Sequence, residues 1–327
     1  DDVRDEESRA ALDRVTRDQW ERFVENCDPS GQVDFYGQQR LVMRAVAESG
    51  EAFRLWTPEE TGGRLFWRCH IVEGDMVDHT INRRLGGGGE IVQGIEFDSF
   101  GRRVAYHMFD EHPGDCFPVS ARTETCRVSA EFVDHIYEVL RPGQVRGVSW
   151  LTASAAVLRD IADLAEAEVI RKKLEACISM VVYSAQDDAA PPPAFGSSVG
   201  DTTALTDMNG TSVESMTPGM ILQAQPGRDV KFNAPPASEG LAEHMKERLQ
   251  AIAAGIGIPY EVMTGDLGAA NYSSMRAGEL EFGRLVDTWQ NSMMIVQSGR
   301  PAWRRVIRAA QDDGTIRVPR DIRAKWI

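Results

Sequence analysis

One serine lies in a pattern that can support nucleophilic catalysis. Residues 196–200 read Gly-Ser-Ser-Val-Gly, the G-x-S-x-G spacing that aims a serine, here Ser198, from the turn between a strand and a helix. A proline run at 191–193 precedes this pattern, and no helical periodicity follows it. The context of a nucleophile turn is therefore absent, and a flexible loop is the better interpretation. A serine hydrolase that uses Ser198 is kept as the alternative function.

Metal and phosphate sites would need other spacings, which are also absent. The six histidines include no H-x-x-x-H or H-E-x-x-H pair, and their nearest cluster with acids is typical of surface residues at strand ends. That cluster is His70, Asp75, Asp78 and His79. The glycines at 86–89 are not followed by G-K-[ST], so they indicate a hairpin tip rather than a phosphate loop. We therefore predict no catalytic residue, no metal and no cofactor.

The composition is that of a soluble globular protein that does not bind nucleic acid tightly. Among 327 residues, 50 acids against 36 bases produce a net charge of -14, whereas tight phosphate binding needs an excess of Lys and Arg. Residues 257–327 are the exception, with 8 acids and 10 bases, so contact with polyanions is expected there. The five cysteines are scattered without a C-x-x-C pair, which indicates reduced, mostly buried thiols.

Targeting signals are not recognisable in the sequence. No stretch approaches the ~20 apolar residues that a membrane-spanning helix requires, and the start of the chain is charged where a signal peptide would be apolar. We therefore expect a soluble protein made in a cytosol, with no membrane partner. The chain begins without Met, so we expect that residues are missing before Asp1 and at the far end.

Periodicity divides the first 150 residues into helices followed by strands, an α+β unit. Helices are expected over 1–26 and 32–48, and residues 98–102 have the composition of a hairpin turn. Short apolar runs predict strands at 52–56, 65–72, 91–97, 104–109 and 127–132.

The rest of the chain alternates long helices with irregular segments. Apolar spacing predicts one long helix over 151–182, and the Pro-rich and Gly-rich segment 183–237 shows one strand pattern, at 220–224. Ser238 is a good cap for a second helix that ends at 257–259, and Ser273 for a third that runs to about 297. Gly299-Arg300-Pro301 is expected to end the third helix before a short basic helix over 302–310.

Two blocks resemble the lambda-type portal proteins of tailed bacteriophages. The first leads into the long helix and contains Arg141, Pro142, Gly143, Gln144, Arg146 and Gly147. The second is the more specific and contains Pro259, Tyr260, Gly265, Asp266, Asn271, Tyr272, Ser273, Ser274 and Arg276. Weaker similarity lies around residues 94–106 and 128–135, so that the resemblance covers most of residues 45–298 in order.

The resemblance implies a portal fold: an α/β wing, a two-helix stem, an irregular α/β clip and a long wing helix that leads to a helical crown. Family members usually extend further at both ends, so the wing and the crown are expected to be incomplete. The implied regions are the wing at 1–150, the first stem helix at 151–182, the clip at 183–237, the second stem helix at 238–256, the channel loop at 257–274, and the wing helix with the start of the crown at 275–327.

The resemblance also implies a function: a passive ring, typically of twelve subunits, at one capsid vertex, through which double-stranded DNA passes without tight binding. The implied protein partners are the large terminase, a head-tail adaptor, and the major capsid and scaffolding proteins. The implied location is the virion, after assembly in the host cytoplasm. Twelve copies would carry a charge on the order of -170, which would repel DNA from the channel wall.

Acidic residues of the first stem helix are expected to line that channel, and polar residues of the channel loop to touch the DNA. The stem candidates are Asp160, Asp163 and Glu166, and the loop candidates are Asp266, Asn271, Tyr272, Ser273, Ser274 and Arg276.

Overall fold

The structure is a computed structural model that describes residues 6–61, 64–114, 124–183, 205–206, 212–213, 220–224, 240–266, 268 and 272–316. The chain forms two compact units. Unit 1 consists of Asp1–Ser154 and Ala253–Ile327, and unit 2 of Ala155–Ile252. Both contain helices and strands, so the expected α+β class is confirmed.

The helices, in chain order, are α1 (Glu6–Asn26), α2 (Phe35–Ser49), α3 (Ala155–Cys177), α4 (Leu241–Ile256), α5 (Tyr260–Thr264), α6 (Tyr272–Trp289) and α7 (Arg300–Asp312). The strands are β1 (Glu51–Thr61), β2 (Arg64–Glu73), β3 (Arg83–Arg84), β4 (Glu90–Val92), β5 (Ile95–Phe97), β6 (Arg103–Phe109), β7 (Thr125–Ser129), β8 (Val133–Tyr137), β9 (Ile178–Tyr183), β10 (Leu205–Thr206), β11 (Ser212–Val213) and β12 (Met220–Ala224). Short 3₁₀ helices occupy Gly74–Met76, Ala130–Phe132 and Trp150–Ser154.

Unit 1 contains two antiparallel sheets. One has the strand order β2-β1-β8, and the other is a five-stranded meander, β3-β4-β5-β6-β7. The turn predicted at 98–102 connects β5 to β6, where the Asp98 amide donates to the Arg102 carbonyl and Gly101 has φ 76°. The glycines at 86–89 connect β3 to β4 as the predicted hairpin tip.

Helices α1, α2 and α7 cover the three-stranded sheet, because each presents a face of apolar residues to it. Helix α2 begins after Asp34, whose carboxylate caps the Gly37 amide at 2.6 Å, and ends at Gly50, which has φ 96°. One core cluster joins all three helices to β1 and β2 around Phe23, Phe35, Trp56, Cys69, Ala302 and Val306. The core of unit 1 is therefore shared by the two ends of the chain.

Two of the predicted strands are wrong in detail. Residues 91–97 form two strands, because Gln93 and Gly94 both have positive φ, 50° and 79°, and turn the chain between β4 and β5. Residues 130–132 form a 3₁₀ helix rather than the end of a strand, and β8 follows. Strand β8 was hidden from an apolar pattern because it buries Asp134 and His135.

The predicted helix at 151–182 is correct only in its middle. Residues 150–154 are 3₁₀, α3 ends at Cys177, and Ile178–Tyr183 is a strand that pairs in parallel with β12. Apolar spacing could not separate helix from strand here, although Val181, Val182 and Tyr183 favour a strand. The strand predicted at 220–224 is confirmed, and Ser238 lies outside the described residues.

The predicted stop at 299–301 is wrong, because the helical backbone is continuous from Tyr272 to Asp312. Gln290–Gly299 is π-helical, and Pro301 is the second residue of α7, directly after this π-helical segment. Gly299 has helical angles, φ -66° and ψ -51°. Ser273 is the second residue of α6 and is therefore not its cap.

Candidate functional site

The first motif block forms a loop that is closed by one amide side chain. The Oε1 atom of Gln144 accepts from the amides of Leu140, at 2.8 Å, and Arg141, at 3.3 Å. Its Nε2 atom donates to the carbonyls of Glu138, at 3.2 Å, and Arg146, at 2.9 Å. Four hydrogen bonds from one residue thus set the shape of the segment that leads to α3.

Arg146 and Gly147 attach this loop to the sheet. The Arg146 guanidinium forms an ion pair with Glu51 and donates to the carbonyls of Gly74, at 2.8 Å, and Gln93, at 3.0 Å. The Gly147 amide donates to Glu51 Oε2 at 2.8 Å, and a Cβ atom at this position would overlap the Gly50 carbonyl. The glycine is therefore required by close approach of the two backbones.

His135 completes a buried network with Glu51. Its Nε2 atom lies 2.9 Å from Glu51 Oε2, and its ring stacks on Phe53 and Tyr137 at 4.2 and 4.4 Å. Burial lowers the pKa of His135 to about 4, although the Glu51 carboxylate opposes this. Burial alone would raise the pKa of Glu51, but hydrogen bonds from His135 and Arg146 outweigh it and hold that pKa below its usual value.

A neutral imidazole that faces an ionised carboxylate must donate through Nε2. Its Nδ1 atom is then an acceptor, and that atom has no hydrogen-bond partner among the described residues. Because both side chains are at most 5% exposed, the pair is closed to a substrate and holds the loop in place.

A second buried network connects β1 and β8 to the last helix. Arg54 has no exposed side-chain surface and donates to the Ser298 carbonyl at 3.3 Å, with Asp134 3.8 Å away. Asp134 accepts from Trp56 Nε1 at 2.7 Å and lies 3.9 Å from Arg305, which covers the Trp56 ring. Burial raises the pKa of Asp134, and the Arg54 charge opposes this.

The second motif block forms a small turn around α5. The Tyr260 hydroxyl donates to Asp266 Oδ2 at 3.3 Å, and Thr264 Oγ1 donates to the Tyr260 carbonyl at 2.8 Å. Pro259 precedes the helix, and Gly265, with φ 70°, ends it. Asp266 also accepts from the Gly268 amide at 3.1 Å. These hydrogen bonds explain the residue types of this block as parts of a tight turn.

The remaining expected loop residues are only partly described. Tyr272, Ser273 and Ser274 form the first turn of α6, and Arg276 follows them with an exposed side chain. Asn271 lies outside the described residues, as do Ser198 and almost all of the expected clip. Their expected roles stay predictions.

The three expected stem acids are exposed on α3. Asp160 is paired only loosely, 3.8 Å from Arg248, and its side chain is 62% exposed. Asp163 and Glu166 are exposed as well, whereas Val157, Ile161 and Leu164 on another face are half-buried. The same helix leaves three apolar side chains between 41% and 50% exposed: Leu158, Val169 and Ile170.

A second apolar surface surrounds the loop of the first motif. A groove of ≈ 460 Å³ is lined by Trp150 and Trp289, whose rings stack at 4.2 Å. Val139 and Leu140 beside it are 56% and 64% exposed. Sequence reasoning missed this surface because its members come from segments more than 100 residues apart.

The expected surface cluster of histidines and acids does not form one group in the structure. Within the described part of the chain, Asp75 instead lies with Glu73 and His112, and both carboxylates are exposed. Cys27, Cys69 and Cys126 are free thiols, as predicted, but Cys126 is exposed. None of the described helices is long and apolar enough to cross a membrane.

The chain is similar to known proteins in sequence and in structure. A probable portal protein of Halomonas phage phiHAP-1 is 28% identical over 261 residues, which cover 78% of this chain and 48% of the relative. The chain thus spans about half the length of that relative. Two solved structures are also similar: the neck of an empty GTA particle computed with C6 symmetry, at 15% identity, and the neck of a native GTA particle computed with C12 symmetry, at 17% identity. Their TM-scores are 0.42 and 0.43, and each match covers 83% of this chain and 71% of the other.

The match to a protein family covers the largest part of the chain. Residues 1–290 match the family described as phage portal protein, lambda family. Both motif blocks and the networks that hold the first one lie largely within that span. The chain therefore belongs to the lambda family of phage portal proteins.

Proposed function

We propose that this chain is one subunit of a ring of about twelve copies at a capsid vertex, through which double-stranded DNA enters and leaves. The family match over residues 1–290 carries the proposal. The portal is a passive structural protein, and its location is the virion, after assembly in the host cytoplasm. The large terminase, a head-tail adaptor, and the capsid and scaffolding proteins would dock on it.

The exposed apolar side chains of α3 support the assembly of a ring. Leu158 and Val169 are 41% and 50% exposed on a helix that also carries exposed acids. Contact with a neighbouring subunit would remove this apolar area from water, at about 25 cal/mol per Å². The apolar surface around Trp150 and Leu140 would add to the same kind of contact.

The acids of α3 are proposed to face the channel. The segment from Asp266 into the first turns of α6 is proposed to touch the DNA. Exposed carboxylates at Asp160, Asp163 and Glu166 would repel phosphates and prevent sticking. Asp266 and Arg276, with residues 271–274, would make transient polar contacts. We assign the wing to residues 1–150, the two stem helices to 151–182 and 238–256, and the clip to 183–237. The channel loop is assigned to 257–274, and the returning wing helix with the start of the crown to 275–327.

Electron microscopy of the purified protein tests the ring directly. We expect rings with a central hole, whereas a chain that stays monomeric at every salt concentration would contradict the proposal. The channel assignment is tested by the double variant Asp160→Lys, Asp163→Lys, which should slow DNA packaging because phosphates would bind the new lysines. Unchanged packaging in rings of that variant would contradict the assignment. Lys173→Glu, on the same helix, is the control for a charge change of the opposite sign.

The serine hydrolase alternative is separated by fluorophosphonate labelling. An activated Ser198 would react and a loop serine would not. We expect the parent protein and the Ser198→Ala variant to be labelled equally little.

A further inference from the structure

Helix α7 carries four arginines that fall into two sets. Arg305 points inward, where it covers Trp56 and Trp67 at 5.0 and 5.3 Å and lies 3.9 Å from Asp134. Arg300, Arg304 and Arg308 are exposed. None of these three side chains has an ion-pair or hydrogen-bond partner within the described part of the chain. The packing of α7 therefore uses one arginine and leaves three free.

The three free arginines form one line along the helix. They are spaced four residues apart, so they lie on one face and span about 12 Å at 1.5 Å per residue. The other side of the helix is packed against the rest of unit 1 through buried Ala302, Val306, Ala309 and Ala310. The packing of this buried face therefore fixes the direction in which the three exposed arginines point.

The surroundings of this line are unusual for such an acidic chain. No Asp or Glu occurs between Asp287 and Asp312, although the chain contains 50 acids. Residues 288–311 therefore place no carboxylate beside Arg300 or Arg304 along the helix, and the first carboxylate, Asp312, lies one turn beyond Arg308 at the end of the line. This is also the part of the sequence in which contact with polyanions is expected.

We propose that Arg300, Arg304 and Arg308 form a contact for the phosphate backbone of double-stranded DNA. Contacts to the phosphate backbone need positive charges and no groups that reach the base edges. The 12 Å length of the line corresponds to about three to four base pairs at 3.4 Å each. A protein partner would need an apolar anchor for a strong contact, and the line itself contains none. Three contacts produce weak, salt-sensitive binding, which suits DNA that must move.

The inference rests on the proposed portal function only for the identity of the polyanion. It concerns α7, not the channel loop or the stem acids. Binding by α7 and ring assembly can therefore fail separately.

The test compares two triple variants of the full chain with equal charge loss. The first is Arg300→Gln, Arg304→Gln, Arg308→Gln, and the matched control is Arg64→Gln, Arg83→Gln, Arg84→Gln, three arginines exposed on the strands of unit 1. The probe is a fluorescein-labelled 30-base-pair duplex, titrated by anisotropy between 20 and 200 mM NaCl. We expect the α7 variant to lose at least tenfold affinity at low salt and the control less than twofold.

The salt dependence makes the expectation quantitative. Each lost phosphate contact lowers the slope of log K against log [salt] by about 0.9, so the α7 variant should lose about 2 to 3 in slope. The lysine triple, Arg300→Lys, Arg304→Lys, Arg308→Lys, should retain affinity within about threefold, because lysine also binds phosphate as a point charge.

Three results would overturn the inference. In the first, the α7 variant binds duplex DNA within twofold of the parent; in the second, the control variant loses as much affinity as the α7 variant. In the third, the parent binds polyglutamate but not DNA at the same salt concentration. The last would assign the line to an acidic protein. Rings without α7-dependent binding would leave the portal proposal intact, and monomers with α7-dependent binding would contradict the portal proposal alone.

Discussion

Unit 1 and helix α3 of unit 2 differ in the burial of the same kinds of side chain. In unit 1, Arg54 and Glu51 are buried with specific partners, and the apolar residues Val42 and Val46 of α2 are completely covered. On α3, charged residues are exposed, and Val169 remains 50% exposed. The difference teaches that unit 1 is stabilised by buried contacts within the chain, whereas α3 keeps apolar side chains exposed among the residues that the structure describes.

The largest expected effect is the loss of a partner inside unit 1. Asp134→Ala would leave the buried Arg54 guanidinium without its carboxylate, and Trp56 Nε1 without its acceptor. We expect the free energy of unfolding to fall by about 3–5 kcal/mol, measured by guanidinium unfolding with tryptophan fluorescence. Asp160→Ala on α3 should change it by less than about 0.5 kcal/mol. Equal losses of stability in the two variants would contradict the difference between unit 1 and α3.

Acid should destabilise unit 1 through His135. Its pKa is about 4 in the folded protein and about 6.5 when unfolded, so the unfolded chain binds more protons between these values. Stability should therefore fall as the pH drops from about 6.5 to 4, by up to about 3 kcal/mol. Below that range the depressed pKa of Glu51 acts in the same direction.

Urea unfolding at a series of pH values measures this slope. His135→Gln should be less stable at pH 7 but should show a flatter dependence between pH 6.5 and 4. A variant with the slope of the parent would assign the acid sensitivity to another group, such as half-buried His70, whose pKa burial also lowers.

A single methyl group should reveal how closely the first motif packs. In Gly147→Ala the new Cβ atom would overlap the Gly50 carbonyl, and we expect a loss of about 1–3 kcal/mol in thermal or chemical unfolding. Gly278→Ala on α6 meets open space and should instead stabilise by about 0.5–1 kcal/mol. Equal destabilisation by the two alanine variants would mean that the loop at Gly147 is no more tightly packed than the surface of α6 at Gly278.

The smallest effect on folding is expected on α3, where the effect on assembly should be measurable. Val169→Asp would place a charge on the half-exposed apolar surface and should weaken each subunit contact by about 1–1.5 kcal/mol, or roughly tenfold. Mass photometry would show fewer rings at equal concentration, with an unchanged unfolding midpoint of unit 1. Lys173→Gln, exposed on the same helix, is the control. Rings at the level of the parent would remove α3 from the interface.

Much of the fold was predictable because the signals are local. Helices α2 and α4, the strand at 220–224 and the turn at 98–102 follow from periodicity and turn residues within a few positions. The errors occurred where a tertiary contact outweighed a local rule. Strand β9, for example, pairs with β12, about 40 residues later. The error at Pro301 is of another kind, because this proline directly follows a π-helical segment within one continuous helix.

The candidate site was predictable in its residue types but not in its partners. Resemblance selected Gln144, Arg146 and Gly147, yet nothing in their neighbourhood indicates Glu51, which lies 95 residues from Arg146. Likewise, helical spacing puts Arg305 on a different face from the three exposed arginines of α7, but it does not show which of the two faces is buried.

The sequence by itself determined the acidic balance, the α+β class, the two motif blocks and the family that they resemble. Only the tertiary structure decided which charges are enclosed and which face water. The physical reason is that periodicity records the face on which a residue lies, whereas burial depends on what packs against that face. The partners of Arg54 illustrate this, because Ser298 lies 244 residues away and is brought to it only by the folded core.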